Sequence, residues 1–187
     1  MEDIVEAHNA LSLEEIKKFM PEEIPLGMVL HTAKSMSNEE FSACFNLIES
    51  NMKPMYLRST IGWSAPEKKK EMAHPAMRFL LLPEEQGFAS FMVTEEEGEE
   101  VIYCYELQLA DAARNSGKGA QLMQVLETFG HNVGLKKAML TVFSENEGAI
   151  RFYKKNGYEV DEISPQGRVT RSGKVRPPSY YILSKEI

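Results

Sequence analysis

The segment RNSGKGA, residues 114–120, combines two glycines and two cations immediately before an apolar helical repeat. Glycine weakens a helix, so its use here indicates that a ligand approaches the main chain closely. Backbone N–H groups at a helix N-terminus, together with the helix dipole, form an anion site. The pattern Arg-x-x-Gly-x-Gly therefore predicts a phosphate-binding loop, with an ordinary loop-to-helix junction as the alternative.

Two other phosphate-binding motifs do not fit this segment. A Walker A loop requires Gly-x-x-x-x-Gly-Lys-Ser/Thr, and a Rossmann loop requires Gly-x-Gly-x-x-Gly. Neither spacing occurs in residues 114–120. The segment is therefore not expected to bind a nucleotide in either of those two modes.

Periodicity predicts the elements that lead up to this loop. Strands are expected at 77–82, 88–93 and 101–109, joined by turns that contain Gly87 and Gly98. Farther upstream, the pattern predicts a helix at 11–20, a strand at 27–35, a helix capped by Ser37 and Glu40, and a short helix that begins near Ser64.

Helix and strand alternate after the loop. A helix begins after Gly117, and a strand at 137–143 is apolar enough to lie at the centre of a sheet. Ser144 is expected to cap a helix that ends at Lys155. A polar, basic loop at 164–178 separates two closing strands. This order of elements predicts an α+β fold built on one mixed sheet.

Composition limits the classes of function. The chain has 187 residues, 43% of them hydrophobic, which predicts a single domain over 1–187 with a helical extension at 1–26. It has no apolar run of about 18 residues and no basic leader, and Cys44 and Cys104 lack metal-ligand spacing, so we expect an intracellular protein with reduced thiols. The net charge of −7 argues against nucleic-acid binding and suits a cationic partner.

A second motif, SENEGAIRFYKKNGYE, follows one β-α unit later and contains Asn146, Ala149, Phe152 and Tyr153. The two motifs together resemble the GNAT acetyltransferase family over roughly residues 77–163. In that family the first motif binds the pyrophosphate of coenzyme A, and the second flanks its pantetheine and thiol end. The resemblance implies the GNAT fold, a mixed and mostly antiparallel sheet with helices on both faces, in which two parallel strands splay around acetyl-CoA.

The same resemblance implies a set of cofactor contacts and no metal. Backbone groups of the strand at 101–109 would bind the pantetheine, and a bulge in that strand would free an N–H to polarise the thioester carbonyl. The implied acetyl-CoA residues are Leu107, Gln108, Leu109, Arg114, Asn115, Ser116, Gly117, Lys118, Gly119, Ala120, Asn146, Ala149 and Tyr153.

Segments outside these motifs are similar to the N-alpha-acetyltransferases of NatD type, from roughly residue 41 to residue 184. They are NMKPMY, Gly62-Trp63, YCYELQL, KAMLTVFSEN and SYYIL. NatD-type enzymes acetylate the first serine of histone classes four and two-A, so the resemblance implies a peptide that begins Ser-Gly-Arg-Gly. The residues implied to frame this peptide are Tyr56, Trp63, Glu96, Tyr103, Tyr105, Glu106, Thr141 and Tyr180.

Glu106 is the expected general base. An α-amine has a pKa of about 7.7–8.0, so a modest base suffices near neutral pH. A carboxylate among Tyr103, Tyr105 and apolar neighbours should have a raised pKa, which improves it as a base, either directly or through a water. The alternative is that the Glu106 side chain lies on the solvated side of the sheet and has no catalytic role. Tyr153 stands where many relatives use a tyrosine to protonate the thiolate, and its alternative role is core packing.

The acidic turn TEEEGEE, residues 94–100, gives the third-position arginine a possible partner in carboxylates such as Glu96. Thr94 and Ile61 depart from the NatD pattern, which has an acid and an aromatic residue there. Two other functions stay open, a lysine or polyamine acetyltransferase and a non-catalytic acyl-CoA sensor. The N-terminal helix is expected to replace an auxiliary subunit, so we expect a monomer in cytoplasm and nucleus, bound neither to nucleic acid nor to membrane.

Overall fold

A seven-stranded mixed sheet positions every other element of the protein. The computed structural model describes residues 3–187, so the first two residues of the expected N-terminal extension lie outside it. The strands are β1 (Val29–Thr32), β2 (Arg78–Leu81), β3 (Gly87–Glu96), β4 (Glu99–Leu109), β5 (Lys137–Phe143), β6 (Glu159–Val160), β7 (Arg168–Val169), β8 (Val175–Arg176) and β9 (Tyr180–Glu186). The sheet order is β1-β2-β3-β4-β5-β9-β6, and β7 and β8 form a separate hairpin inside the basic loop.

Six helices accompany these strands in the described part of the chain. They are α1 (Ile4–Asn9), α2 (Leu13–Lys17), α3 (Asn38–Arg58), α4 (Ala65–Met72), α5 (Lys118–Asn132) and α6 (Glu147–Lys155). Single turns of 3-10 helix lie at Pro25–Gly27, Pro83–Glu85 and Asp111–Ala113. Within residues 3–187, no helix is both long and apolar enough to cross a membrane.

The predicted α+β class and the order of the main elements are confirmed, including the capping box at the start of α3. There the Glu40 carboxylate accepts from the Ser37 N–H at 2.8 Å, and Ser37 Oγ accepts from the Glu40 N–H at 3.1 Å. The prediction that Ser144 caps α6 is wrong. Asn146 is the cap, because its Oδ1 accepts from the Ala149 N–H, whereas Ser144 Oγ donates to the Pro178 carbonyl.

Apolar side chains cover the sheet on both faces. On one face, α5 buries Leu122, Leu126 and Phe129 against the central strands. On the other face, α3 and α4 pack in a second cluster that contains Phe45 and Met72. Cys44 and Cys104 are buried and free, one in each cluster.

Strands β4 and β5 are parallel neighbours for only part of their length. Their pairing runs from Ile102 opposite Ala138 to Cys104 opposite Leu140, and every other pair of neighbours in the sheet is antiparallel. Beyond Cys104 the two strands diverge, so a cleft opens in the middle of the sheet. The splayed parallel pair that the family resemblance implied is therefore present.

Arg78 joins the N-terminal helices to the sheet. Its side chain is 5% exposed, and its guanidinium donates to the carbonyls of Asn9 and Leu11 at 3.0 and 3.1 Å and to that of Pro75 at 3.1 Å. The Asn9 side chain in turn donates to the Val93 carbonyl at 2.8 Å. These bonds hold the chain between α1 and α2 against the edge half of the sheet.

We expect Arg78→Met to destabilise the fold by about 1.5–3 kcal/mol, because it removes charge-assisted hydrogen bonds and leaves part-buried carbonyls without a donor. Urea unfolding followed by far-UV circular dichroism measures this change. Arg168→Met, at an exposed position of β7, is the matched control and should stay within about 0.5 kcal/mol of the parent chain. Equal stability of the two variants would contradict this account of Arg78.

Candidate active site

The cleft between β4 and β5 has a volume of about 1450 Å³. Both sequence motifs open onto it, the phosphate loop from the start of α5 and the second motif from α6. All of the predicted site residues line it except Lys118, the first residue of α5, and Tyr180, which pairs with Phe143 on the neighbouring strand. The fold thus brings the predicted cofactor and substrate residues to one place.

A bulge in β4 determines which way Glu106 points. Ser90 pairs with Glu106 and Phe91 with Cys104, so Tyr105 is an extra residue in the strand. Cys104 and Leu107 pack toward α5, whereas Tyr105 packs toward α3 and α4. The extra residue reverses the alternation of the strand and turns Glu106 to the α4 side as well. This bulge confirms the one that the family resemblance implied.

Glu106 is a buried carboxylate with a hydrogen-bond partner on each oxygen. It is 6% exposed, and Oε1 lies 2.9 Å from Lys68 Nζ while Oε2 accepts from Gln108 Nε2 at 2.8 Å. Burial raises the pKa of the Glu106 carboxyl above its ordinary value, and Lys68 and Gln108 oppose that shift. The side chain therefore lies inside the molecule and not on a solvated face of the sheet.

Lys68 was not anticipated from the sequence, because PEKKKEM has the composition of a solvated helix. Its ammonium contacts Glu106, the Glu71 carboxylate at 2.6 Å and the Tyr56 hydroxyl at 3.1 Å. Burial lowers the pKa of Lys68, but Glu106, Tyr56 and Glu71 outweigh burial and raise it overall. Lys68 is therefore charged near neutral pH.

A chain of side-chain hydrogen bonds links Glu106 to the phosphate loop. Arg114 Nη2 donates to Asn51 Oδ1 at 3.0 Å, and Asn51 Nδ2 donates to Gln108 Oε1 at 3.1 Å. Gln108 completes the chain to Glu106. Asn51, on α3, was the second residue that the sequence did not single out, and its position inside NMKPMY was the available signal.

The phosphate loop has the features of an anion site. Gly117 is the N-cap of α5 with φ +79°, and no side chain in the described part of the chain caps the helix there. The first N–H groups of a helix have no partner within it, so those of α5 are available to a ligand. Gly119 allows close packing of α5 against α6, because a Cβ at this position would lie 3.2 Å from the Phe152 ring of α6. The residues present fit the pyrophosphate of a CoA ester.

Aromatic and acidic side chains surround the α4 side of the cleft. Tyr103 forms a short hydrogen bond with Thr141 across the two strands. Tyr56 packs edge-on against Phe143 at 4.9 Å and against Trp63 at 5.3 Å between ring centroids. Glu96 also lines the cleft, and its pKa is raised by burial and by the neighbouring Glu97.

A model of the acetyltransferase (GNAT) family matches residues 39–158. The chain belongs to this family. N-alpha-acetyltransferase 40 of Saccharomyces cerevisiae is 28% identical over 187 aligned positions, which cover 80% of this chain and 65% of that protein. The chain thus spans slightly less than two thirds of the length of this curated relative.

Solved structures share the GNAT fold. Arabidopsis thaliana Naa50 in complex with the bisubstrate analogue CoA-Ac-MVNAL superposes with a TM-score of 0.56 at 18% identity, covering 86% of this chain and 99% of that one. A chain of the NatC complex bound to Gag peptide and CoA gives 0.59 at 13% identity, covering 86% and 98%. At these identities the likeness shows the fold, and it confirms the predicted GNAT architecture.

Two residues of the second GNAT motif, Asn146 and Tyr153, differ in their contacts and burial. Asn146 lines the cleft, and its side-chain oxygen Oδ1 caps α6 by accepting from the Ala149 N–H. Tyr153 is 8% exposed, lines the cleft and packs edge-on against Tyr158. Burial, and then Cys104 and Glu106, raise the pKa of Tyr153 well above its ordinary value. Its hydroxyl therefore keeps its proton near neutral pH and is a weaker acid than an ordinary tyrosine.

We expect Gly117→Asp to separate cofactor binding from folding. Gly117 is left-handed, and aspartate and asparagine are the non-glycine residues that adopt this conformation most readily, so α5 should persist with similar strain in both variants, but the aspartate charge would repel the pyrophosphate. CoA affinity measured by titration calorimetry should fall at least about tenfold, which is about 1.4 kcal/mol. Gly117→Asn is the uncharged control and should lose less. Equal CoA affinity in the parent and the Asp variant would show that the anion binds elsewhere.

Proposed function

We propose that this chain is an acetyl-CoA-dependent N-alpha-acetyltransferase that acts on protein N-termini. The observation that carries the proposal is a phosphate-binding loop and a buried, hydrogen-bonded glutamate that line one cleft between β4 and β5. The relative from yeast is an N-alpha-acetyltransferase by name, and the Naa50 structure holds a bisubstrate analogue of a peptide. Both support transfer to a peptide α-amine.

The residues that line the cleft have separate roles in the proposed reaction. When bound, acetyl-CoA supplies an activated acetyl group at its thioester. The loop at Gly117 holds the pyrophosphate. The part of β4 beyond Cys104, which is not paired with β5, offers backbone groups to the pantetheine. Glu106 accepts the proton that the amine nitrogen loses as its bond to the acetyl carbon forms, directly or through a water. As the carbon–sulfur bond breaks, Tyr153 can donate a proton to the thiolate, and solvent restores both groups.

The finer proposal is the NatD specificity for the N-terminal serine of histone classes four and two-A. Tyr103 and Thr141 are bonded across the cleft, so they present hydroxyl groups to a small first residue. Tyr56 and Trp63 form an aromatic wall. Glu96 lines the same cleft, which supports the proposal that its carboxylate pairs with the third-position arginine. Thr94 offers no second carboxylate, so Glu96 would carry that contact with less help than the NatD pattern provides.

Partners and location follow from the substrate. We propose a monomer that meets histone N-termini in the cytoplasm and nucleus, without direct contact to nucleic acid or membrane. The support for a monomer is the docking of α1 and α2 on the sheet through Arg78 and Asn9, and we propose that these helices replace an auxiliary subunit. The net charge of −7 suits a cationic histone tail.

Acetylation of three peptides tests the function. We expect acetyl on the α-nitrogen of Ser-Gly-Arg-Gly-Lys by mass spectrometry, and none on the same peptide with a blocked N-terminus. A third peptide, Ser-Gly-Ala-Gly-Lys, should react at least about tenfold more slowly because it lacks the charge that pairs with Glu96. Acetyl on lysine in the blocked peptide would assign a lysine acetyltransferase. CoA binding without transfer to any of these peptides or to spermidine would assign the non-catalytic sensor.

We expect Glu106→Gln to lower kcat/KM by about a hundredfold to ten-thousandfold, the range of general base catalysis, with CoA affinity retained. Glu106 must be ionised to accept a proton, and its pKa is raised by burial, so parent activity should fall with decreasing pH at values above the ordinary range of a glutamate. Glu100→Gln, in the exposed acidic turn, is the control. Full activity of Glu106→Gln would remove the base from this mechanism and leave the family assignment intact.

A further inference from the structure

The ammonium group of Lys68 is saturated with hydrogen bonds. An ammonium has three N–H donors, and the acceptors of Lys68 are Glu106 Oε1 at 2.9 Å, Glu71 Oε2 at 2.6 Å and the Tyr56 hydroxyl at 3.1 Å. Its side chain is 11% exposed. Lys69 and Lys70, the next two residues of α4, are exposed. The helix therefore directs one lysine of three into the cleft and fixes it there.

A buried carboxylate needs such a partner in order to stay charged. Moving an unpaired carboxylate out of water is costly, and the usual result is that it takes up a proton. Gln108 satisfies Oε2 of Glu106 with a neutral amide, which carries no charge to offset the burial. Lys68 is the cation in contact with Glu106, and a protonated Glu106 could not accept a proton from the substrate.

We propose that Lys68 is a positioning residue of the reaction, which fixes the Glu106 carboxylate and keeps it ionised, so that the Lys68–Glu71 pair determines the pH range of activity. This inference rests on the proposed role of Glu106 as base. Glu71 acts in the opposite direction, because it shares the Lys68 charge and adds a negative charge near Glu106. The other titratable groups facing Glu106 are Tyr56 on α3, Cys104 on β4 and Tyr153 on α6, each with a pKa raised by burial.

The inference predicts a shift in the pH profile of kcat/KM. The part that should shift is the acid limb, the pH range in which activity falls as the pH decreases. Loss of an adjacent opposite charge moves a carboxyl pKa by about 1–3 units, so Lys68→Met should move the limb to higher pH by that amount. At a pH below both limbs, activity should fall about tenfold for each unit of that shift, and it should recover as the pH rises. Glu71→Gln should move the limb to lower pH. The substrate amine contributes the same titration in every variant, so differences between variants report on Glu106.

Two controls separate this role from support of the fold. Lys69→Met removes a neighbouring lysine of the same helix, which lies over the Phe45 ring at 4.6 Å, and should leave the limb in place. Lys68→Arg keeps the charge and should keep the limb near its parent position even if kcat changes. A Lys68→Met variant that loses activity equally at all pH values, with an unshifted limb, would overturn the inference.

A direct titration makes the result independent of turnover. With ¹³C-labelled glutamate carboxyl groups, the signal absent from Glu106→Gln identifies Glu106, and its midpoint should rise in Lys68→Met and fall in Glu71→Gln. If Lys68→Met does not fold, Glu71→Gln and Lys68→Arg still decide the matter, since an unchanged midpoint in Glu71→Gln contradicts the inference. If the parent protein acetylates no amine but the midpoints shift as stated, the proposed function fails, and the part of the inference that stands is that Lys68 keeps Glu106 ionised.

Discussion

The extra residue at Tyr105 controls the chemistry of the cleft, because a regular β4 would place Glu106 on the same face as Cys104, inside the apolar cluster under α5. A charged group there would have no partner, and its burial would cost several kcal/mol. One inserted residue turns Glu106 toward α4 and still returns Leu107 to the core. The same irregularity lies where β4 begins to separate from β5, so the bulge and the opening of the sheet belong to one local feature.

The orientation of the Glu106 carboxylate toward α4 constrains the helices that cover it. Lys68 on α4 and Gln108 on β4 bond Glu106, and Asn51 on α3 bonds Gln108 and receives a hydrogen bond from Arg114. Glu106, the proposed base, and the phosphate loop are therefore joined by a continuous set of side chains from α3, α4, β4 and the loop. A change at Asn51 would disturb both ends of the cleft, because its amide donates toward the base and its carbonyl accepts from the loop.

Sequence patterns predicted the parts of the site that depend on backbone conformation. Gly117 marks the loop because a left-handed residue is needed before α5, and Asn156-Gly157 ends α6 for the same reason. The partner of Glu106 could not be predicted. Lys68 is one of three consecutive lysines, and which of them faces inward depends on the rotation of α4 against the bulged strand. Ser144 was a plausible cap by type, but the chain continues for two more residues before the helix turn forms at Asn146.

The strength of the base favours an α-amine over a lysine. The two amines differ by about 2.5 pKa units, so at a given pH the lysine requires about 3.4 kcal/mol more to present its free base. An α-amine is already partly deprotonated near neutral pH, so Glu106 has only to accept the proton released as the new bond forms. In the proposed function, the buried Lys68–Glu106 pair would therefore serve an N-terminal amine, and acidic side chains that line the cleft, Glu96 among them, would select among N-termini by charge.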